Sequence, residues 1–139
     1  MQFRAHGNFD FQLEGRILRL SIAGSLNQEG LAAYREEAAH YFAALAGAPW
    51  GVLAVVSEGG FLLDGTRDAM IESIRRQQQN GRCATAAVLL ETVEGRSIFE
   101  ERLRRMYSEA GQNFAIFTAE ASARAWLIER IDEANAKGT

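Results

Sequence analysis

Phe9, Phe11 and Leu13 alternate with Asp10, Gln12 and Glu14, a period of two that predicts a half-buried strand. Gly15 and Arg16 predict a short turn. Ile17, Leu18, Leu20, Ile22 and Ala23 then form a second strand, paired with the first as a hairpin and ended by Gly24. Ser25 to Gln28 has the spacing of a capping box, with Asn27 as a rival cap. Leu31, Tyr34, Ala38, Tyr41, Phe42 and Leu45 follow at steps of three and four, which place one apolar stripe on a helix closed by Gly47, Pro49 and Gly51.

Val52 to Val56 is a continuous, β-branched apolar run that predicts a central strand covered on both faces. The loop from Ser57 to Thr66 leads to a helix carrying Ala69, Met70, Ile71 and Ile74, capped by Asp64 or Thr66 and stopped at Asn80-Gly81. Cys83 to Leu90 predicts a further buried strand. Ile98, Phe99, Leu103, Met106, Tyr107 and Ala110 mark a third helix stopped by Gly111, with Glu100→Arg104 and Glu101→Arg105 as i,i+4 pairs. Phe114 to Phe117 is a last strand. Thr118 caps a final helix with Ala123, Trp126, Leu127 and Ile131 inward.

The resulting order is ββαβαβαβα, an α/β domain with a mixed, mostly parallel sheet and an N-terminal β-hairpin. Residues 1–134 form this single domain, and 135–139 are expected to fray. With 139 residues, 47% of them apolar, the chain needs no metal or disulfide to support its core. The 15 basic and 18 acidic side chains give a net charge of −3, which argues against a general nucleic-acid or anionic-membrane binder. No apolar run reaches the length of a bilayer span. The start MQFRAHGNFD lacks the apolar stretch of a secretory signal and Cys83 is the sole cysteine, so a cytoplasmic location is expected. Cys83 itself reads as a buried small hydrophobe rather than a nucleophile.

The string F-A-I-F-T-A-E-A-S-A-R-A-W-L, Phe114 to Leu127, resembles the closing segment of the SpoIIAA-like branch of the STAS superfamily, the fold of anti-sigma-factor antagonists. Phe114, Ile116, Phe117, Thr118, Glu120, Ala123, Trp126 and Leu127 fit its pattern, as does the opening hairpin followed by Gly24 and a helix. The resemblance implies a STAS-like domain, usually not an enzyme, that binds partner proteins and in some members nucleotides or lipids. Antagonists of the family carry a phosphorylatable Ser in a D-S-[ST]-G motif after the central strand. Here the loop V-S-E-G-G-F-L-L-D-G-T lacks it, and Asp64-Gly65-Thr66 is the nearest chemical echo.

Ligands of open α/β sheets bind beyond the carboxyl ends of the strands, which makes the loops after Val56 and Leu90 the candidate site. In the first loop Ser57, Glu58, Gly59, Gly60, Phe61, Asp64 and Thr66 are candidate ligand or partner contacts, because the glycines permit close backbone approach and a helix start offers free N–H groups. Thr66 and Ser57 are candidate phosphosites. Glu91 and Arg96 in the second loop complete the candidate set, and Glu91 with Glu94 is a conceivable acid–base pair. His6 and His40 have no spaced partner, so no metal or cofactor is expected. Arg75, Arg76 and Arg82 read as surface arginines near one helix end. Tyr34, Tyr41, Phe42 and Trp126 read mostly as core, with a hydrophobic groove between the first and last helices as an option.

The expected function is a non-enzymatic regulatory or binding module that recognises a protein partner or a small, partly apolar ligand, lipid included. A phospho-regulated anti-sigma-factor antagonist, a small hydrolase or lyase using loop carboxylates, and a homodimer scaffold are the alternatives.

Overall fold

A computed structural model describes residues 9–23, 28–58, 67–90 and 95–138. The alternating segment at the start is strand β1 (Phe9–Glu14), followed by β2 (Ile17–Ala23). Gly15 sits at φ +63° in the turn between them, the conformation that the first position of a two-residue hairpin turn demands. The two strands are antiparallel, with Phe9 opposite Ile22 and Phe11 opposite Leu20. Then come α1 (Gln28–Leu45), β3 (Trp50–Glu58), α2 (Arg67–Gln79), β4 (Arg82–Leu89), α3 (Arg96–Ala110), β5 (Asn113–Phe117) and α4 (Glu120–Lys137). This is the element order that the periodicity predicts. The five strands make one mixed sheet in the order β1-β2-β3-β4-β5, parallel from β2 to β5.

Every parallel connection steps one strand in the same direction, and crossovers of one hand then lay α1, α2 and α3 on the same face. The core divides accordingly. On that face α1 covers Phe9, Phe11, Leu18, Leu20 and Val52, while α2 and α3 cover Val56, Ala87 and Leu89. On the opposite face α4 brings Ala123, Leu127 and Ile131 against Ile17, Leu53, Ala84, Ala86 and Val88. The central strands are apolar on both faces because both are covered.

Several boundaries differ from the sequence expectation. Strand β3 starts at Trp50 rather than Val52, since the Trp50 N–H reaches the Gly81 carbonyl at 2.9 Å. Strand β4 starts at Arg82 and ends at Leu89, which leaves Leu90 exposed. Ile98, expected inward on α3, is 65% exposed: Phe99, Leu103, Met106, Tyr107 and Ala110 already fill the buried stripe. Ala119, not Thr118, stands at the N-cap of α4 and makes no side-chain cap bond. The helix runs through Lys137, past Asn135 where fraying was expected; Ala134 and Ala136 favour helix and Lys137 complements its negative end. Cys83, expected to be buried, is half-buried in the α4 cluster, and that burial raises its thiol pKa. The capping box at 25–28 and the Asp64 or Thr66 cap lie outside the described residues.

A register shift decides which way the first residue of β4 faces. Trp50 pairs with Arg82 but Gly51 pairs with Ala84, so Cys83 is an extra residue bulged out of the ladder. In a regular strand Arg82 would share the α4 face with Ala84 and Ala86. The bulge turns it to the α1–α3 face, beside Thr85. Next to it, Gly81 holds φ +107° with its α-carbon packed so close to Ala48 that a Cβ would lie 2.4 Å from that carbonyl oxygen.

The start of α4 is fastened to both strands of the hairpin by charge. Arg19 donates from Nε and Nη2 to the two carboxylate oxygens of Glu120 at 2.9 and 3.0 Å, and Arg124 donates from Nε to Glu14 at 2.8 Å. The Arg19 hydrogen bond holds the Glu120 carboxyl below its ordinary pKa of 4.5. A carboxylate with a depressed folded-state pKa stabilises the fold above the unfolded value and loses that contribution as pH falls through the folded one. A Glu120→Gln variant should therefore show a smaller loss of urea midpoint than the parent when pH is lowered from neutral to below 4.5. Glu120 is 37% exposed, so solvent screening keeps the difference small. Equal acid sensitivity of the two proteins would contradict the assignment.

Candidate functional site

The carboxyl ends of β3 and β4 lie side by side, with Val56 paired to Leu89. Ser57 and Leu90 therefore share a rim, as the sequence reading requires. Ser57 is exposed, and its hydroxyl donates to the Ile22 carbonyl at 3.5 Å. Glu58 closes β3. Arg96 opens α3 and donates from Nε to Glu100 at 2.6 Å, so its guanidinium is already engaged. Gly59, Gly60, Phe61, Asp64, Thr66, Glu91 and Glu94 lie outside the described residues. His40 is exposed on α1, and among the described residues no three His, Cys, Asp or Glu side chains stand close enough to share a metal ion. Among those residues, too, no helix is long and apolar enough to cross a membrane.

A concavity with a volume of about 540 Å³ lies elsewhere, over the sheet between α1 and α2. It exists because the two helices pack on different neighbours. Helix α1 sits on the hairpin, and α2 sits on β4 and α3. The floor between them is Leu18, Leu20, Val52 and Ala54. Ala38, Ala39 and Ala69 on the facing helices end at Cβ, so these three side chains leave the gap between the helices unfilled. Phe11, Tyr34 and Phe42 wall one side, and Met70 and Ile74 the other. The rings on the α1 side are locked by mutual contact: Phe11 meets Tyr34 at 5.4 Å, and Phe42 stacks on Trp50 at 5.5 Å. The groove suggested by the aromatic residues thus opens between the first and second helices. It does not open towards the last helix, whose Trp126 packs with Phe117 on the other face of the sheet.

One end of this apolar cleft is polar. Arg82 is 6% exposed and lines it together with Gln77 and Tyr107. Its Nε donates to Thr85 Oγ1 at 3.1 Å, and its Nη2 donates to Thr85 Oγ1 at 2.7 Å and to the Tyr107 hydroxyl at 3.2 Å. Nη1 donates to Gln77 Oε1. Thr85 in turn donates to Gln112 Oε1 at 2.6 Å, and Gln77 donates to Ser73 Oγ at 2.7 Å. The Tyr107 ring is held parallel to Phe114 at 4.3 Å. All of these acceptors are neutral, and among the described residues no carboxylate lies within ion-pair distance of Arg82. Burying a cation costs several kcal/mol even after relaxation, and neutral hydrogen bonds offset only part of that. The Tyr34 phenol lies within electrostatic reach of the same group. Burial pushes its pKa up to about 12, with Arg82 pulling the other way, so it stays neutral across the physiological range.

The linear pattern places Arg82 among the surface arginines and Tyr107 in the core, so it gives no sign of this cluster. The bulge at Cys83 is the physical cause: it reverses the side on which Arg82 falls, and apolar alternation carries no trace of it. Thr85 was the available signal. It is the one hydroxyl in the buried run C-A-T-A-A-V-L-L, and a buried hydroxyl requires a partner. At the outer end of the cleft Glu72 is paired with Arg76 at 3.1 Å, and Arg35 lines the α1 edge. The chain matches no family model, no curated protein and no solved structure.

Proposed function

We propose that this chain is a non-enzymatic binding module that holds a small, largely apolar molecule in the cleft between α1 and α2. The observation that carries the reading is the cleft itself. Its volume of about 540 Å³ falls in the range of roughly 300–1,000 Å³ typical of small-molecule sites. Its walls are rings and aliphatic groups, with a few polar groups converging at one end. The rim formed by the ends of β3 and β4 is then a secondary surface rather than the main site. A STAS-like identity is part of the same reading. It is supported by the hairpin-led element order, by the sheet order β1-β2-β3-β4-β5, and by the closing strand and helix, whose Phe117, Ala123, Trp126 and Leu127 meet in one cluster.

Thermal denaturation of the purified chain with a panel of small apolar acids, alcohols and amides tests the proposal. At least one class should raise the melting temperature in a concentration-dependent way, because a ligand at a hundred times its Kd stabilises by about 2.7 kcal/mol. Ala69→Trp introduces a large ring at an exposed position of the cleft wall and should abolish the shift while leaving the unliganded protein folded. Stabilisation that survives Ala69→Trp, or none with any compound, would contradict the cleft as the site.

A further inference from the structure

Resting on that reading, we infer that the occupant of the α1–α2 cleft is a monoanionic carboxylate, its acid group received by Arg82, Tyr107 and Ser73 and its apolar body lying along Phe11, Tyr34 and Met70. Charge is the first argument. The chain as a whole carries −3, yet the charged residues lining the cleft are Arg35, Arg76 and Arg82 against Glu72 alone. The local sign is the reverse of the global one, and an anion is drawn towards it.

Donor accounting is the second argument. A guanidinium has five N–H groups, and the four bonds to Thr85, Gln77 and Tyr107 leave one on Nη1. The Tyr107 oxygen accepts from Arg82, so its own proton remains to be donated. The Ser73 oxygen accepts from Gln77 and is in the same condition. Neither proton has an acceptor among the described residues. Three donors lining one cleft, one of them on a cation that no carboxylate of the described residues pairs, suit the two oxygens and single charge of a carboxylate. A phosphate dianion would bring a second charge for which the inner end of the cleft holds no partner, since Arg76 is engaged by Glu72.

The third argument is how the arginine arrives there. The bulge at Cys83 aims Arg82 into the cleft, and bulges characteristically re-aim a side chain beside a functional site. The neutral partners fix its plane without cancelling its charge. The charge is thus held desolvated and oriented, the arrangement that makes a hydrogen bond to an anion strong.

Titration calorimetry of the whole chain with octanoate, octanol and octyl phosphate tests the inference. Octanoate should bind at least about tenfold more tightly than octanol, a difference of about 1.4 kcal/mol. Arg82→Gln should bring the two affinities together chiefly by weakening octanoate. Should that variant fail to fold, Tyr107→Phe keeps the ring on Phe114, and Ser73→Ala alters a half-buried helix position; each should weaken octanoate and leave octanol unchanged. Equal affinity for octanoate and octanol would overturn the anion assignment while the cleft reading stands. Tighter binding of octyl phosphate than of octanoate would overturn the carboxylate assignment. Binding of none of the three would overturn both.

Discussion

Replacing Trp50 with alanine should remove about 3–5 kcal/mol of folding free energy. Trp50 is fully buried and is the largest such side chain in the core. Its ring stacks on Phe42, and its Nε1 donates to the Asn80 carbonyl at 3.0 Å. It thereby ties the end of α1 to the turn before β4, and it sits at the register shift that turns Arg82 into the cleft. The truncation leaves a cavity under α1 and an unpaired carbonyl. Domains of this kind have only about 5–15 kcal/mol in total, so the variant should be largely unfolded at temperatures where the parent is intact. Trp50→Phe keeps a ring and loses the hydrogen bond, for an expected loss of about 1–2 kcal/mol. Urea denaturation followed by far-ultraviolet circular dichroism measures both. A Trp50→Ala midpoint equal to that of the parent would contradict the packing described for this face.

Thr85→Val should be nearly as damaging, about 2–4 kcal/mol, although valine has almost the same shape. Here the loss is polar. Thr85 Oγ1 accepts two of the Arg82 hydrogen bonds and donates one to Gln112. Valine removes two of the four hydrogen bonds of a buried cation and leaves a buried amide oxygen without its donor. The sign of a second substitution distinguishes this cause from a packing defect. Adding Arg82→Met removes the buried charge that valine leaves with only Gln77 and Tyr107 as partners, so the double variant should recover part of the stability lost by Thr85→Val. Additive destabilisation in the double variant would mean that Arg82 is not the group Thr85 serves. Stability and binding should also part company: the double variant keeps the fold and loses the preference for octanoate over octanol.

The contrast between what the chain pattern revealed and what it did not follows from the range of the interactions involved. Phe9 and Phe11 alternating with polar residues, the stripe from Phe99 to Ala110 and the doubly covered run Val52 to Val56 are local patterns, and each produced the element it predicts. One-directional steps across the sheet then settled which face each helix covers. The rim at Ser57 was readable for the same reason, because parallel strands of similar length end together. Boundaries moved where a single long-range bond decides them, as at Trp50 and Gly81. The cleft was not readable because it is a gap: it arises from what α1 and α2 each choose to pack against, and from four alanines that leave space unfilled. Arg82 was not readable because one bulged residue overturns the period-of-two rule for everything before it. Helix-end arginines resemble one another in a linear pattern, and only the ladder distinguishes the surface Arg76 from the buried Arg82.

The methionine methyl groups offer the most direct test of the central claim, that the α1–α2 cleft receives a ligand whose acid group meets Arg82. Met70 lines the cleft, while Met106 is buried under α3 outside it. In a carbon-edited NMR titration of the methyl-labelled chain with octanoate, the Met70 signal should shift and saturate while the Met106 signal stays in place. Binding accompanied by a static Met70 methyl would contradict the account.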